Sequence, residues 1–158
     1  MATSSSSSSS PALVLVSAFL LLLSLAQATS FEYCNKRAKY PVRISGVSIS
    51  PEPVQGGKPA QFNISATTGD DISQGKVVID VKYFFLYVHS ETKELCEETS
   101  CPITTGDFVL SHQQTLPSFT PPGSYHLTMK IIGEDGKREL SCITFSFSIG
   151  FASSVADS

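Results

Sequence analysis

The residues best equipped for covalent chemistry are four cysteines, Cys34, Cys96, Cys101 and Cys142. An even count in an exported chain points to two disulfides. Zinc asks for close ligand pairs such as C-x-x-C, and the sequence has none. Three pairings are possible. Cys96 and Cys101 flank the short polar loop "CEETSC" and close it as a small ring, which leaves Cys34 with Cys142. That second bridge spans roughly 100 residues and is worth about 4–5 kcal/mol in the chain-entropy account. Catalytic groups are harder to find. His89, His112 and His126 are scattered, and neither a G-x-S-x-G elbow nor an H-E-x-x-H helix is present. Asp70-Asp71 and Glu97-Glu98 fall in turn-like stretches with nothing to raise a carboxylate pKa. The chain reads as a non-enzyme with no cofactor and no metal. Asn63-Ile64-Ser65 is an N-glycosylation acceptor.

The cysteines lie behind a leader. Residues 1–28 run from a polar, serine-rich start through an apolar stretch to a small-residue ending, Ala26-Gln27-Ala28. This is the layout of a secretory signal cleaved after Ala28. Its apolar run of about 14 residues is short of the roughly 20 that a membrane span needs. The remainder has the length of one domain, with a domain expected over 29–150 and a flexible tail over 151–158. The formal charge of −3 is too mild and too acidic for a nucleic-acid binder. Within it, Lys36, Arg37, Lys39 and Arg43 form a local basic cluster able to attract anionic headgroups at a membrane surface.

Strand signals recur and helix signals do not. Alternating or β-rich runs appear at 42–50, 59–68, 75–89, 107–116, 124–132 and 140–149, with a further strand near 31–34. Ala60, Phe62, Ile64 and Ala66 share one face of their run, which leaves Asn63 on the wet face. Tyr125, Leu127, Met129 and Ile131 share a face, as do Ile143, Phe145, Phe147 and Ile149. Turn signals separate the runs, Asp135-Gly136 being a strong hairpin mark. About seven strands predict an antiparallel, immunoglobulin-like β-sandwich. The run "KVVIDVKYFFLYV" is unusual because both faces are apolar. Val77, Ile79, Val81, Tyr83, Phe85 and Tyr87 supply the buried face. Phe84, Leu86 and Val88 then need a covering loop such as "LPSFTPPG", a change of sheet, or a partner. A sharper reading is that the two sheets do not fully close and an apolar guest completes the core.

The cleaved leader, Cys34, the Cys96/Cys101 pair, the "PPGSY" turn and "GEDGKRELSCITFSFSI" together resemble the MD-2-related lipid-recognition (ML) family over about residues 31–149. The chain is similar in particular to plant members and to fungal phosphatidylglycerol/phosphatidylinositol transfer proteins, and more distantly to Niemann–Pick type C2-like sterol-transfer proteins. The resemblance implies two splayed sheets admitting a lipid tail or sterol, and the disulfides Cys34–Cys142 and Cys96–Cys101. The animal sterol carriers have a third disulfide close after the first cysteine. Here "NKRAKYPVRI" has no such cysteine, which puts sterol specificity in doubt.

A lipid site needs only a dry slot with a wet mouth. Burying a dozen methylenes yields roughly 10 kcal/mol at ~0.8 each, before binding costs. The candidate lining residues are Phe62, Ile64, Val81, Tyr83 and Phe85, together with Phe119, Tyr125, Leu127, Phe145 and Phe147. Phe119, in a Pro-flanked loop, is expected to gate the mouth. The expected partners are a lipid, an anionic membrane surface and a membrane receptor, with no nucleic acid, for a monomer in the extracellular space, vacuole or endosome lumen. The rival function is a secreted recognition or co-receptor module with a filled core.

Overall fold

The computed structural model describes residues 28–151, so all of the expected leader but Ala28, and all of the expected tail but Phe151, lie outside the described residues. Among the described residues ten strands run in chain order. They are β1 Ala28–Thr29, β2 Phe31–Tyr33, β3 Val42–Ser50, β4 Val54–Gln55, β5 Pro59–Thr68, β6 Gly75–Tyr83, β7 Leu86–Glu94, β8 Gly106–Thr115, β9 Gly123–Gly133 and β10 Glu139–Gly150. Among the same residues a helical turn, α1 (Leu95–Glu98), follows β7. One sheet has the order β1-β3-β5-β8. The other has the order β2-β10-β9-β6-β7, with β4 added alongside β10. The antiparallel sandwich expected from the alternation is therefore present, with short edge strands raising the count.

Period-2 alternation explains the core. Phe62, Ile64 and Ala66 from β5 face Val77, Ile79 and Val81 from β6, Leu127, Met129 and Ile131 from β9, and Ile143, Phe145 and Phe147 from β10, and all are buried. Their polar neighbours in sequence turn outward, because successive side chains of a strand point to opposite faces. The Asp135-Gly136 hairpin joins β9 to β10. Gly136 takes φ 68°, and Asp135 Oδ1 accepts from the backbone N–H groups of Arg138 at 2.9 Å and Lys137 at 3.0 Å. Those two donors hold the Asp135 carboxyl below its ordinary pKa.

The run 75–89 is not one strand. The chain reverses at Phe84 and Phe85, where Phe84 takes φ 54°, and returns as β7 antiparallel to β6. A bulky residue in this left-handed region is uncommon. No Gly, Asn or Pro marks the turn, so the alternation runs through it unbroken. Phe84, Leu86 and Val88 are covered by neither loop nor neighbouring strand: they project from the hairpin tip, exposed.

The two disulfides are Cys34–Cys142 and Cys96–Cys101, as expected. The first ties β2 to β10. Beside it, the Ile44 N–H donates to Tyr33 Oη at 2.8 Å, joining β2 of one sheet to β3 of the other. The flank where β2, β3 and β10 meet is thus stitched shut. On the opposite flank the edge strands β7 and β8 belong to different sheets and share no ladder.

Candidate functional site

The gap between the sheets on that open flank is a cavity of about 320 Å³. Its floor and walls are strand residues: Phe62 from β5, Ile79 and Val81 from β6, Tyr125 and Leu127 from β9, Phe147 and Ile149 from β10. Strand register brings them together. Tyr83, Tyr125 and Phe147 occupy one row across β6, β9 and β10, and Val81, Leu127 and Phe145 the next. The rings interlock: Tyr83 stacks on Tyr125 at 4.7 Å, Tyr125 on Phe147 at 5.6 Å, and Phe147 meets Phe62 edge-on at 5.4 Å. Such contacts hold an aromatic wall in place without filling the space in front of it.

The loop between β8 and β9 forms one lip of the mouth. Leu116, Pro117, Phe119, Thr120 and Pro121 all line the cavity, while Phe119 remains 85% exposed. Tyrosine hydroxyls fix this lip to the wall. Tyr125 Oη donates to Pro121 O at 2.7 Å and Tyr83 Oη to Pro122 O at 3.3 Å. Burial, and then the Tyr83 phenol, push the Tyr125 hydroxyl above its ordinary pKa, so it stays a neutral donor. Gly123 is required here: a Cβ at this position, with φ 140°, would sit 3.1 Å from the Tyr83 ring. The β6–β7 hairpin tip forms the other lip, with Phe84 packed on Tyr83 at 4.5 Å.

Seven of the ten expected lining residues border this cavity: Phe62, Val81, Tyr83, Phe119, Tyr125, Leu127 and Phe147. Three stand elsewhere. Ile64 and Phe145 are buried in the solid core, and Phe85, at the turn of the hairpin, is 94% exposed. Phe85 leaves the inward face because the chain reverses there. The basic cluster also lies away from the mouth. Lys36, Arg37, Lys39 and Arg43 follow Cys34 at the other end of the sandwich. Along β10, Cys142 and Phe147 are separated by roughly 17 Å at ~3.4 Å per residue.

Sequence reasoning passed over the polar part of the wall. His89, Glu91, His112 and Gln114 line the cavity where β7 faces β8. His112 is buried and lies between two carboxylates: Nδ1 is 3.1 Å from Glu98 Oε2, and Nε2 is 3.1 Å from Glu91 Oε1. His89 Nε2 approaches the same Glu91 oxygen at 3.4 Å. Glu98, expected in a turn, is carried by α1. The usable signal was the inward parity of His112 on its strand, two residues beyond Leu110.

A sequence model of the ML domain matches residues 28–149. Among relatives, the chain is 33% identical over 118 residues to a phosphatidylglycerol/phosphatidylinositol transfer protein of Aspergillus oryzae, covering 71% of this chain and 67% of that one. It is 31% identical over 138 residues to the MD-2-related lipid-recognition protein ROSY1 of Arabidopsis thaliana, covering 80% and 84%. Among solved structures it resembles a Niemann-Pick type C2 protein from the Japanese carpenter ant (TM-score 0.61, 16% identity, covering 77% of this chain and 99% of that one). It also resembles chicken MD-1 (TM-score 0.50, 15% identity, 75% and 87%). A matching domain over nearly all of the described residues, relatives above 30% identity and an apolar gap between two sheets agree: the chain belongs to the ML domain family.

Proposed function

We propose that this protein is a lipid carrier of the secretory route that takes one acyl tail of a phospholipid into the gap between its sheets and moves it between membranes, without catalysing a reaction. The observation that carries this reading is the cavity of about 320 Å³ walled by Phe62, Val81, Tyr125, Leu127 and Phe147. A recognition module with a filled core has no use for such a space. The volume lies at the low end of the ~300–1,000 Å³ usual for ligand sites. That favours a single tail or a sterol-sized body over two complete tails. The names of the relatives from Aspergillus oryzae and Arabidopsis thaliana support a lipid ligand, the former a phospholipid.

The mouth supports a membrane encounter at this end of the molecule. Phe84, Phe85, Leu86, Tyr87, Val88 and Phe119 are all exposed around it. Lys82 Nζ lies 4.3 Å from the centre of the Tyr87 ring, a cation beside an aromatic surface. Aromatic side chains with a neighbouring lysine suit the headgroup boundary of a bilayer. The basic cluster stands about two Debye lengths from the mouth at physiological salt, so its field assists approach rather than gripping the headgroup. The leader and both disulfides favour an oxidising lumen or the cell exterior. Asn63, on the outer face of its sheet, suits a glycan.

The test is to purify the exported protein, extract it with organic solvent and identify what is released, then follow transfer of labelled phosphatidylglycerol and of a labelled sterol between vesicles. Co-purified phospholipid and faster phospholipid transfer are expected. A protein that releases no lipid and accelerates neither probe overturns the reading; transfer of sterol alone overturns the phospholipid assignment.

A further inference from the structure

The edge strands β7 and β8 face one another across the open flank with no backbone pairing. Charged groups occupy the gap. His112 comes from β8. Both carboxylates that meet it come from the other side: Glu91 from β7, and Glu98 from α1, whose Leu95 is fully buried beside Gly75 at the start of β6. The contacts therefore span the two sheets, and separating the sheets breaks them. His89, Glu91 and His112 also line the cavity, so the span forms its side wall. We infer that Glu91, His112 and Glu98 form a pH-sensitive latch across the open flank, which retains the lipid while His112 is charged and loosens when it is neutral. This rests on the carrier reading.

The chemistry follows from the proton inventory of imidazole. A neutral ring has one N–H and one lone pair; an imidazolium has two N–H groups. Here a carboxylate oxygen lies 3.1 Å from each ring nitrogen. Only the charged ring is attractive to both. The Nδ1 contact has hydrogen-bond geometry. Glu91 Oε1 sits off the Nε2–H direction and accepts no formed hydrogen bond, although it is buried. It is held by charge, which makes it the contact most sensitive to loss of the proton. The other groups facing the ring are few. On β7, His89 and Lys93 reach the Glu91 carboxylate, at 3.4 Å and 3.8 Å. From β5, the uncharged Phe62 ring lies 6.2 Å away. On β8 itself the same-face neighbours Leu110 and Gln114 carry no charge.

The sign is fixed by these groups. Histidine changes charge between about pH 5 and 8. While the His112 ring carries both protons it attracts the Glu91 and Glu98 carboxylates together, and the flank is closed. Once the ring gives up one proton, one carboxylate faces a lone pair and the flank opens, so release rises with pH.

The experiment is stopped-flow release of fluorescent phosphatidylglycerol from the full exported protein to phosphatidylcholine vesicles, from pH 5.0 to 8.5. The release rate is expected to rise about tenfold toward pH 8, the scale of one lost charge-assisted hydrogen bond. His112→Gln removes the proton switch, and its release should be fast and flat with pH. Glu91→Gln, nearly isosteric and able to accept from N–H or donate to a lone pair, should keep the fold and flatten the profile should His112→Gln fail to fold. His126→Gln, on the outer face and bonded to Ser146, should keep the wild-type profile. A probe that binds but leaves at a pH-independent rate, or a profile that survives Glu91→Gln, overturns the latch alone. A probe that binds at no pH overturns the carrier reading and the latch with it.

Discussion

The two flanks of this sandwich are built on opposite principles. Where β2, β3 and β10 meet, Cys34–Cys142 fastens the edge strand β2 covalently to β10 of its own sheet, and the Tyr33–Ile44 hydrogen bond ties that edge to the other sheet, over residues such as Val42 and Ile143 that are fully buried. Where β7 and β8 meet, nothing covalent or ladder-like connects them, the inward side chains of β7 are His89, Glu91 and Lys93, and a space of about 320 Å³ remains. In a closed core a void is destabilising by about 24 cal/mol per Å³, so a gap of this size is tolerable only if it is wetted or occupied and the rest of the fold is held firmly. One flank gives the rigidity that lets the other stay unfilled.

The strongest way to break that division is to cut the stitched flank. Replacing both Cys34 and Cys142 with Ala should lower unfolding free energy by about 4 kcal/mol in urea denaturation, while the folded fraction binds a fluorescent lipid within about twofold of wild type. Affinity falling in step with stability would mean that the flanks are not independent. Next in size is a pair of substitutions on one strand. Phe145→Ala, in the solid core, should cost about 4 kcal/mol and leave lipid affinity nearly unchanged. Phe147→Ala, bordering the cavity, should cost less, about 2–3 kcal/mol, because space beside it already exists, yet weaken lipid binding about tenfold or more. Equal stability losses, or equal affinities, would erase the distinction drawn between the two phenylalanines.

The stitched flank was legible in the sequence and the open one largely was not, for a physical reason. Alternation reports which side chains face inward, and it did so for Phe62 and Ile64, Leu127 and Met129, Phe145 and Phe147. It does not report what stands opposite. Nothing local separates Phe145, which meets core, from Phe147, which meets the gap; that depends on which strand lies across from each. The hairpin at Phe84 and Phe85 was hidden because its turn uses aromatic residues that continue the strand pattern. Beyond it β7 turns charged side chains inward, the reverse of what a buried face signals. The partnership of His112 with Glu91 and Glu98 exists only once two sheet edges and a helical turn have been brought together, and no spacing along the chain encodes it. The cysteines escaped this difficulty because short-loop closure by one pair dictated the other.

Smaller effects test whether the mouth is separable from both flanks. Phe119 is exposed and anchored to no core residue, so Phe119→Ala should change stability by no more than about 0.5 kcal/mol. If it is the lip that meets the bilayer, vesicle-to-vesicle transfer should fall several-fold with equilibrium lipid affinity intact. Unchanged transfer would remove the loop from the path and leave the hairpin tip as the contact.

The smallest effect belongs to the end of the sandwich remote from the mouth. Asp135 holds the β9–β10 hairpin through two backbone N–H groups, and its carboxyl is held below the ordinary value by them. A depressed carboxyl contributes stability above its unfolded pKa and loses it as pH falls through the folded one. Thermal unfolding of wild type and Asp135→Asn should therefore differ slightly near neutrality and converge as pH drops below the carboxylate range, since the amide still accepts through its oxygen but has no charge to lose. Lipid release should be identical in the two proteins at every pH. Should Asp135→Asn alter release, the far hairpin and the open flank move together. The rigid side and the yielding side would then be one cooperative unit rather than two.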